Sequence, residues 1–153
     1  MPPATSLTLR RALTADAGAA GALLRDLGYE DLDPAAFGRA FAAVLTDPQQ
    51  QVWLAVDGDR PVGLMSLSTR PQLRLAGPIM TVDELVVTPA TRGTGVGAAL
   101  LGVAKSEAVR IGARRLELLT RRGRPSYTRG FYVKNGFTEV DSAVMRWNPD
   151  TGH

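Results

Sequence analysis

Residues 85–98 read Leu85-Val86-Val87-Thr88-Pro89-Ala90-Thr91-Arg92-Gly93-Thr94-Gly95-Val96-Gly97-Ala98. The stretch begins inside an apolar run, 79–87, with strand character. It crosses a short loop, 88–94, and enters a helical pattern over 95–111. A helix N-terminus presents main-chain N–H groups that lack intrahelical acceptors, at the positive end of the macrodipole. Glycines at 93, 95 and 97 let an anion approach the backbone, and Arg92 adds a cation. In chemical terms this is a pyrophosphate cradle. A plain turn with a helix cap would need fewer glycines. A dinucleotide fingerprint, G-x-G-x-x-A over 93–98 with Glu117 downstream, also fits the letters. That fingerprint, however, needs its first glycine directly after the strand, and here residues 88–92 intervene. A Walker loop is excluded, because no Gly-Lys-Ser/Thr follows. The remaining reading takes residues 92–97 as R-x-x-G-x-G after Val-x-Pro.

Outward from this loop, the pattern is that of a mixed α/β domain. Residues 7–12 alternate as a strand; Thr14 is the expected cap of a helix carrying Ala17, Ala20, Leu23, Leu24 and Leu27 at helical spacing, and Gly28 is its stop. Asp33-Pro34 opens a second helix, which ends before Asp47-Pro48. Residues 51–56 and 62–67 form a hairpin around Asp57-Gly58-Asp59-Arg60, and 69–78 is a loop. After the helix over 95–111 come a strand at 115–119, a helix at 126–135 closed by Asn135-Gly136, and strands at 137–140 and 143–147. Three successive central strands argue against a purely parallel sheet.

A second motif lies further on: Gly130-Phe131-Tyr132-Val133-Lys134-Asn135-Gly136-Phe137. With R-x-x-G-x-G in the first position, F-Y-x-x-x-G-F in the second, and a helix, a strand and a loop between them, the chain resembles the GNAT superfamily of acyl-CoA-dependent N-acetyltransferases. The opening Leu9-Arg10-Arg11-Ala12, followed by Asp16, is similar to the family's usual start. The resemblance covers residues 7–147, taken as one acetyltransferase domain, with 1–6 expected to be a disordered N-terminus and 148–153 a C-terminal tail. It implies an α/β (α+β mixed) single domain. Its central, mixed, mostly antiparallel sheet would be splayed between strands four and five and flanked by about four helices. Two departures stand out: Thr128 occupies a position that is often alanine in relatives, and the loop before that helix reads Arg121-Arg122-Gly123-Arg124-Pro125.

The resemblance also implies a chemistry. Acetyl-CoA, as co-substrate, would lie between the splayed strands. Its pantetheine arm would pair with the main chain of Leu85, Val86 and Val87, and its pyrophosphate would rest on the N–H groups of Arg92, Gly93, Thr94, Gly95, Val96 and Gly97, with Ala98 in the same first turn. Arg129 and Lys134 could reach its 3′-phosphate or be solvated. Tyr132 would be the general acid, because a phenol with pKa near ~10 stays protonated at neutral pH and can donate to a leaving thiolate. The base would be a carboxylate on the central strand. Strict alternation places Thr81, Asp83, Leu85 and Val87 on one face and selects Asp83; a bulge would exchange the faces and select Glu84.

The acceptor is read least well. Glu30, Asp31 and Asp33 would suit a cationic amine, whereas Arg70-Pro71-Gln72-Leu73-Arg74 would suit one bearing a carboxylate. A primary amine on a small molecule is the leading expectation. A protein or peptide acceptor and a non-catalytic acyl-CoA-binding module are the alternatives.

Composition agrees. The chain has 153 residues, 44% hydrophobic and 22% charged, with net charge +3, as expected for one globular domain. With no cysteine, thiol chemistry is excluded; with a single histidine, His153, neither a Ser-His-Asp triad nor a multi-histidine metal site is expected, and no metal is expected. The longest near-apolar run, 95–104, is too short to span a bilayer, and the N-terminus lacks signal-peptide character. Basic residues are not interleaved with aromatics in the manner that stacks bases. The expectation is therefore a cytoplasmic protein with neither nucleic-acid nor membrane partner; homodimers occur among relatives.

Overall fold

The computed structural model describes residues 6–150. The expected disordered start over 1–6 lies, except for Ser6, outside the described residues. Of the expected tail, 151–153, including His153, lie outside them as well. The carbonyl of Ser6 accepts from the Gly58 N–H at 3.3 Å. The chain gathers into two compact units, one through Leu119 and one from Thr120.

In the first unit the strands are β1 (Leu7–Arg11), β2 (Gln50–Asp57), β3 (Arg60–Gln72), β4 (Gly77–Val87) and β5 (Arg115–Leu118). They lie in sequence order in one sheet. The first four are antiparallel neighbours, and β5 joins β4 in parallel. The helices are α1 (Ala17–Asp26), α2 (Pro34–Thr46) and α3 (Val96–Arg110). Alternation sorts the sheet's faces. Val52, Leu54, Val56, Leu64 and Val86 point into a core with Ala20, Leu23 and Phe41 of α1 and α2. Residues of opposite parity meet α3. A Cβ built on Gly63 would sit 3.0 Å from Val96 Cγ1, 3.2 Å from Leu100 Cδ1 and 3.3 Å from the Ala55 Cβ. The bare backbone of β3 therefore lets the first turn of α3 lie close on the sheet.

Local chemistry explains most helix ends. Asp33 accepts from the Ala36 N–H at 2.8 Å, with Pro34 in the first turn. At the end of α1, Gly28 has φ +109°; its N–H reaches the Arg25 carbonyl at 3.0 Å, and the Tyr29 N–H reaches Leu24 at 3.2 Å. This paired closure needs a left-handed residue, which glycine supplies. The start of α1 differs from expectation. Thr14 is not a cap: residues Thr14–Asp16 form a 3-10 turn, and the Asp16 carboxylate accepts from the Leu13 N–H at 2.7 Å. The same carboxylate takes both ends of the Arg10 guanidinium, at 2.8 and 3.0 Å.

Those hydrogen bonds from Arg10 hold the Asp16 carboxyl below its usual range. A lowered folded pKa means stability that is present above ~4 and lost as pH falls through the folded value. Asp16→Ala should therefore cost about 1–2 kcal/mol at neutral pH. Its gap from wild type in denaturation midpoint should shrink in acid. A gap independent of pH would remove the ion pair from the account.

Residues 69–78 are not a free loop. Strand β3 continues to Gln72, a 3-10 turn covers Leu73–Leu75, and β4 starts at Gly77, so most of the segment extends the hairpin ladder. Ala76 turns the corner at φ +50°.

In the second unit, the expected helix over 126–135 is divided into α4 (Pro125–Thr128) and α5 (Phe131–Lys134). Gly130, at φ +72°, breaks the helical run between them. The expected strands at 137–140 and 143–147 are not formed. Their apolar residues Val140, Val144, Met145 and Trp147 are exposed. An alternating pattern marks which face a strand would bury, but a strand persists only with a partner ladder.

Candidate active site

Strands β4 and β5 pair only over four positions, Ile79 with Arg115 through Val82 with Leu118. β5 then ends while β4 continues to Val87, so among the described residues no strand pairs with that edge of β4 along 83–87. This is the expected splay. On the other side Leu85, Val86 and Val87 remain paired to Met65, Leu64 and Gly63.

The edge leads directly into the glycine loop. After a 3-10 turn at Pro89–Thr91, Gly93 has φ +79° and Gly95, immediately before α3, has φ +92°. Neither position has a neighbour within 4 Å of where a Cβ would be. Among the described residues, the main-chain N–H groups of Gly93, Thr94, Gly95, Val96 and Gly97 meet no protein acceptor, and the helical ladder begins at Ala99 to Gly95, 3.0 Å. Thr94 Oγ1 donates to the Thr91 carbonyl at 2.5 Å, and Arg92 Nε donates to the Val87 carbonyl at 3.1 Å. The loop is thus tied back to the strand while its donors stay exposed. This geometry fits the pyrophosphate of a CoA thioester, since free N–H donors and a helix terminus are what an oligoanion requires.

Gly95→Ala tests the cradle. A side chain at φ +92° costs about 1–2 kcal/mol of strain whatever the free space. It would also intrude where a phosphate would sit. Acetyl-CoA affinity should fall at least tenfold, or ~1.4 kcal/mol. Gly102→Ala, in the exposed middle of α3 with open space around it, should bind as wild type. Titration calorimetry decides; equal affinities for both variants would move the phosphates elsewhere.

Between the end of α2 and the middle of β3 and β4 lies a cleft of about 540 Å³, lined by Val44, Asp47, Gln49, Gln50, Ser66, Ser68, Thr69, Asp83 and Glu84. Strict alternation does not hold here. The register passes from Ser66 opposite Glu84 to Leu67 opposite Val82, leaving Asp83 as an extra residue. This bulge brings two consecutive carboxylates into one cleft. Ser66 Oγ accepts from the Glu84 N–H at 3.1 Å and donates to its Oε2. Burial pushes both carboxyls above the usual carboxylate range. The Ser68 hydroxyl draws Asp83 partly back, while the charge of Asp83 pushes Glu84 further up. Among the described residues, no basic side chain lines the cleft. It can therefore receive an ammonium group and take a proton from it.

The sequence left Ser66, Ser68, Gln49 and Gln50 unmarked. The two serines alternate along β3, but linking them to particular carboxylates requires the bulge.

Tyr132 lies in the second unit, in α5, with its ring edge-on to Phe131 (centroids 5.0 Å apart) and to Phe137 (6.3 Å). Burial raises its pKa; Arg124, Ser126 and Arg129 oppose this. Arg129 sits over the Phe131 ring, 5.7 Å from its centre. Tyr127, the neighbouring phenol, donates to Glu139 at 2.7 Å, and Glu139 also takes Arg122. No group of acidic residues or histidines suited to a metal ion occurs among the described residues. Nor does any helix among them reach the length and apolarity needed to cross a membrane.

An acetyltransferase (GNAT) family profile matches residues 20–137. The chain is also 38% identical, over 131 residues, to the aminoalkylphosphonate N-acetyltransferase of Salmonella typhimurium, covering 86% of this chain and 84% of that protein. Among solved structures, a putative acetyltransferase from Agrobacterium tumefaciens superposes with TM-score 0.83 at 28% identity, over 92% of this chain and 99% of that one. An aminoglycoside N-acetyltransferase in complex with CoA shares the fold at TM-score 0.80 and 17% identity, over 97% and 99% of the two chains. The protein belongs to the acetyltransferase (GNAT) family, and its class is that of the acyl-CoA-dependent N-acetyltransferases. Enzymes of this family draw the acetyl group from acetyl-CoA.

Proposed function

We propose that the protein transfers the acetyl group of acetyl-CoA to the primary amine of a small molecule, and that an aminoalkylphosphonate represents its acceptor class. The observation that carries the acceptor is the 38% identity, across most of both chains, to an aminoalkylphosphonate N-acetyltransferase. The cleft supports the amine half of this reading, since Asp83 and Glu84 offer a place for an ammonium.

The thioester lies along the open edge of β4 at Leu85, Val86 and Val87, with its pyrophosphate on residues 92–97. Glu84, placed opposite Ser66 by the bulge, takes the ammonium proton directly or through water; Asp83 is the second candidate and otherwise orients the amine. The free amine attacks the thioester carbonyl, the C–N bond forms, and the C–S bond breaks. Tyr132 protonates the departing thiolate. A raised carboxyl pKa makes a better proton acceptor near neutrality, and a phenol protonated at that pH can donate.

The test is an assay of free thiol release from acetyl-CoA with a series of aminoalkylphosphonates, the matching aminocarboxylates, a polyamine and a lysine peptide. Preferential turnover of the phosphonates is expected. Turnover confined to the peptide would make this a protein acetyltransferase. Acetyl-CoA binding without turnover of any amine would make it a binding module.

A further inference from the structure

We propose that Ser66 is a positioning residue for the reaction: from the facing strand it grips both the main chain and the carboxylate of Glu84 and so fixes the base beside the β-bulge. The proposal rests on the reading of Glu84 as the proton acceptor. Ser66 and Glu84 are register partners, the last pair before the ladder shifts. A bulge disrupts the ladder locally and loosens control over where its side chains point. Here that control is restored by one hydroxyl, which accepts from the Glu84 N–H at 3.1 Å and donates to Oε2. The arrangement uses the hydroxyl's single donor on the carboxylate and one of its acceptor sites on the backbone.

It also has an electrostatic consequence. The other charged groups lining the cleft are Asp83 on the same strand and Asp47 just beyond α2, both acidic, and among the described residues no cation lines it. Burial and Asp83 both favour the neutral carboxyl. Among the described residues, Ser66 supplies the only side-chain hydrogen bond to this carboxylate. A donor to the charged form favours ionisation, so Ser66 keeps available the form that can accept a proton. Ser68 lowers the Asp83 carboxyl against the effect of burial, but the grip on both main chain and carboxylate is made by Ser66 on Glu84.

The test is a carbon-13 NMR titration of the glutamate carboxyls, with Glu84→Gln assigning the signal. In Ser66→Ala the Glu84 midpoint should rise by about one pH unit, and Ser66→Thr, which keeps the hydroxyl on a strand-compatible side chain, should stay near wild type. With an aminoalkylphosphonate as acceptor, the acid limb of kcat/KM should move up by the same amount in Ser66→Ala, and Ser66→Ala should add nothing to Glu84→Gln. An unmoved midpoint in Ser66→Ala, even with a lowered melting temperature, overturns the proposal alone: Ser66 is then merely structural. If Glu84→Gln retains the wild-type acid limb, the assignment of the base falls and the role of Ser66 falls with it.

Discussion

Tyr132→Phe should bind acetyl-CoA nearly as well as wild type and lose ~10²–10⁴-fold in turnover, the usual worth of general acid catalysis. The substitution keeps the ring, so the edge-on packing against Phe131 and Phe137 is preserved and the melting temperature should hardly change. The pH profile provides a second reading. Burial raises the phenol's pKa, so wild type should remain active beyond pH ~10 before its alkaline limb appears. The variant's residual activity should lack that limb. A melting temperature lowered by many degrees would make Tyr132 a packing residue. A folded variant with full turnover would mean that water supplies the proton.

The second large effect concerns the carboxylates. Glu84→Gln should lower kcat/KM by ~10²-fold or more at neutral pH, with the rate recovering as pH approaches the amine's own pKa, because a free amine needs no base. Asp83→Asn should act chiefly on KM for the amine, with the acid limb retained. The Glu84 carboxyl is held above the usual range by burial and by Asp83. Removing the charge of Asp83 should therefore shift that limb toward lower pH. If the two variants exchange phenotypes, Asp83 is the base, as simple strand parity selects.

The parts of the protein that were legible in sequence are those governed by local chemistry. The loop and helix start over 88–97 followed from their glycines and proline, and the structure places exposed N–H groups and two left-handed glycines there. Asp33-Pro34 and Gly28 marked helix ends for similarly local reasons. Long-range pairing was less legible. Residues 137–147 carry a strand's alternation, yet no ladder takes them up, and a sequence does not display the absence of a partner. The hairpin of β3 and β4 runs through Pro71 opposite Pro78, where prolines suggest a loop. The bulge at Asp83 is a mismatch between two strands distant in sequence. That is why parity alone selected one carboxylate where the fold presents two.

The parted strands have a colloidal consequence. An unpaired β edge is a template on which another chain can add a strand, and proteins commonly blunt such edges with charge and with local kinks. The edge of β4 beyond Val82 starts with both, a bulge and the charges of Asp83 and Glu84. Neutralising either carboxylate should therefore lower solubility, whatever it does to turnover. Solutions of Glu84→Gln without acetyl-CoA should scatter light on warming earlier than wild type, and ligand that occupies the edge should delay clouding in both.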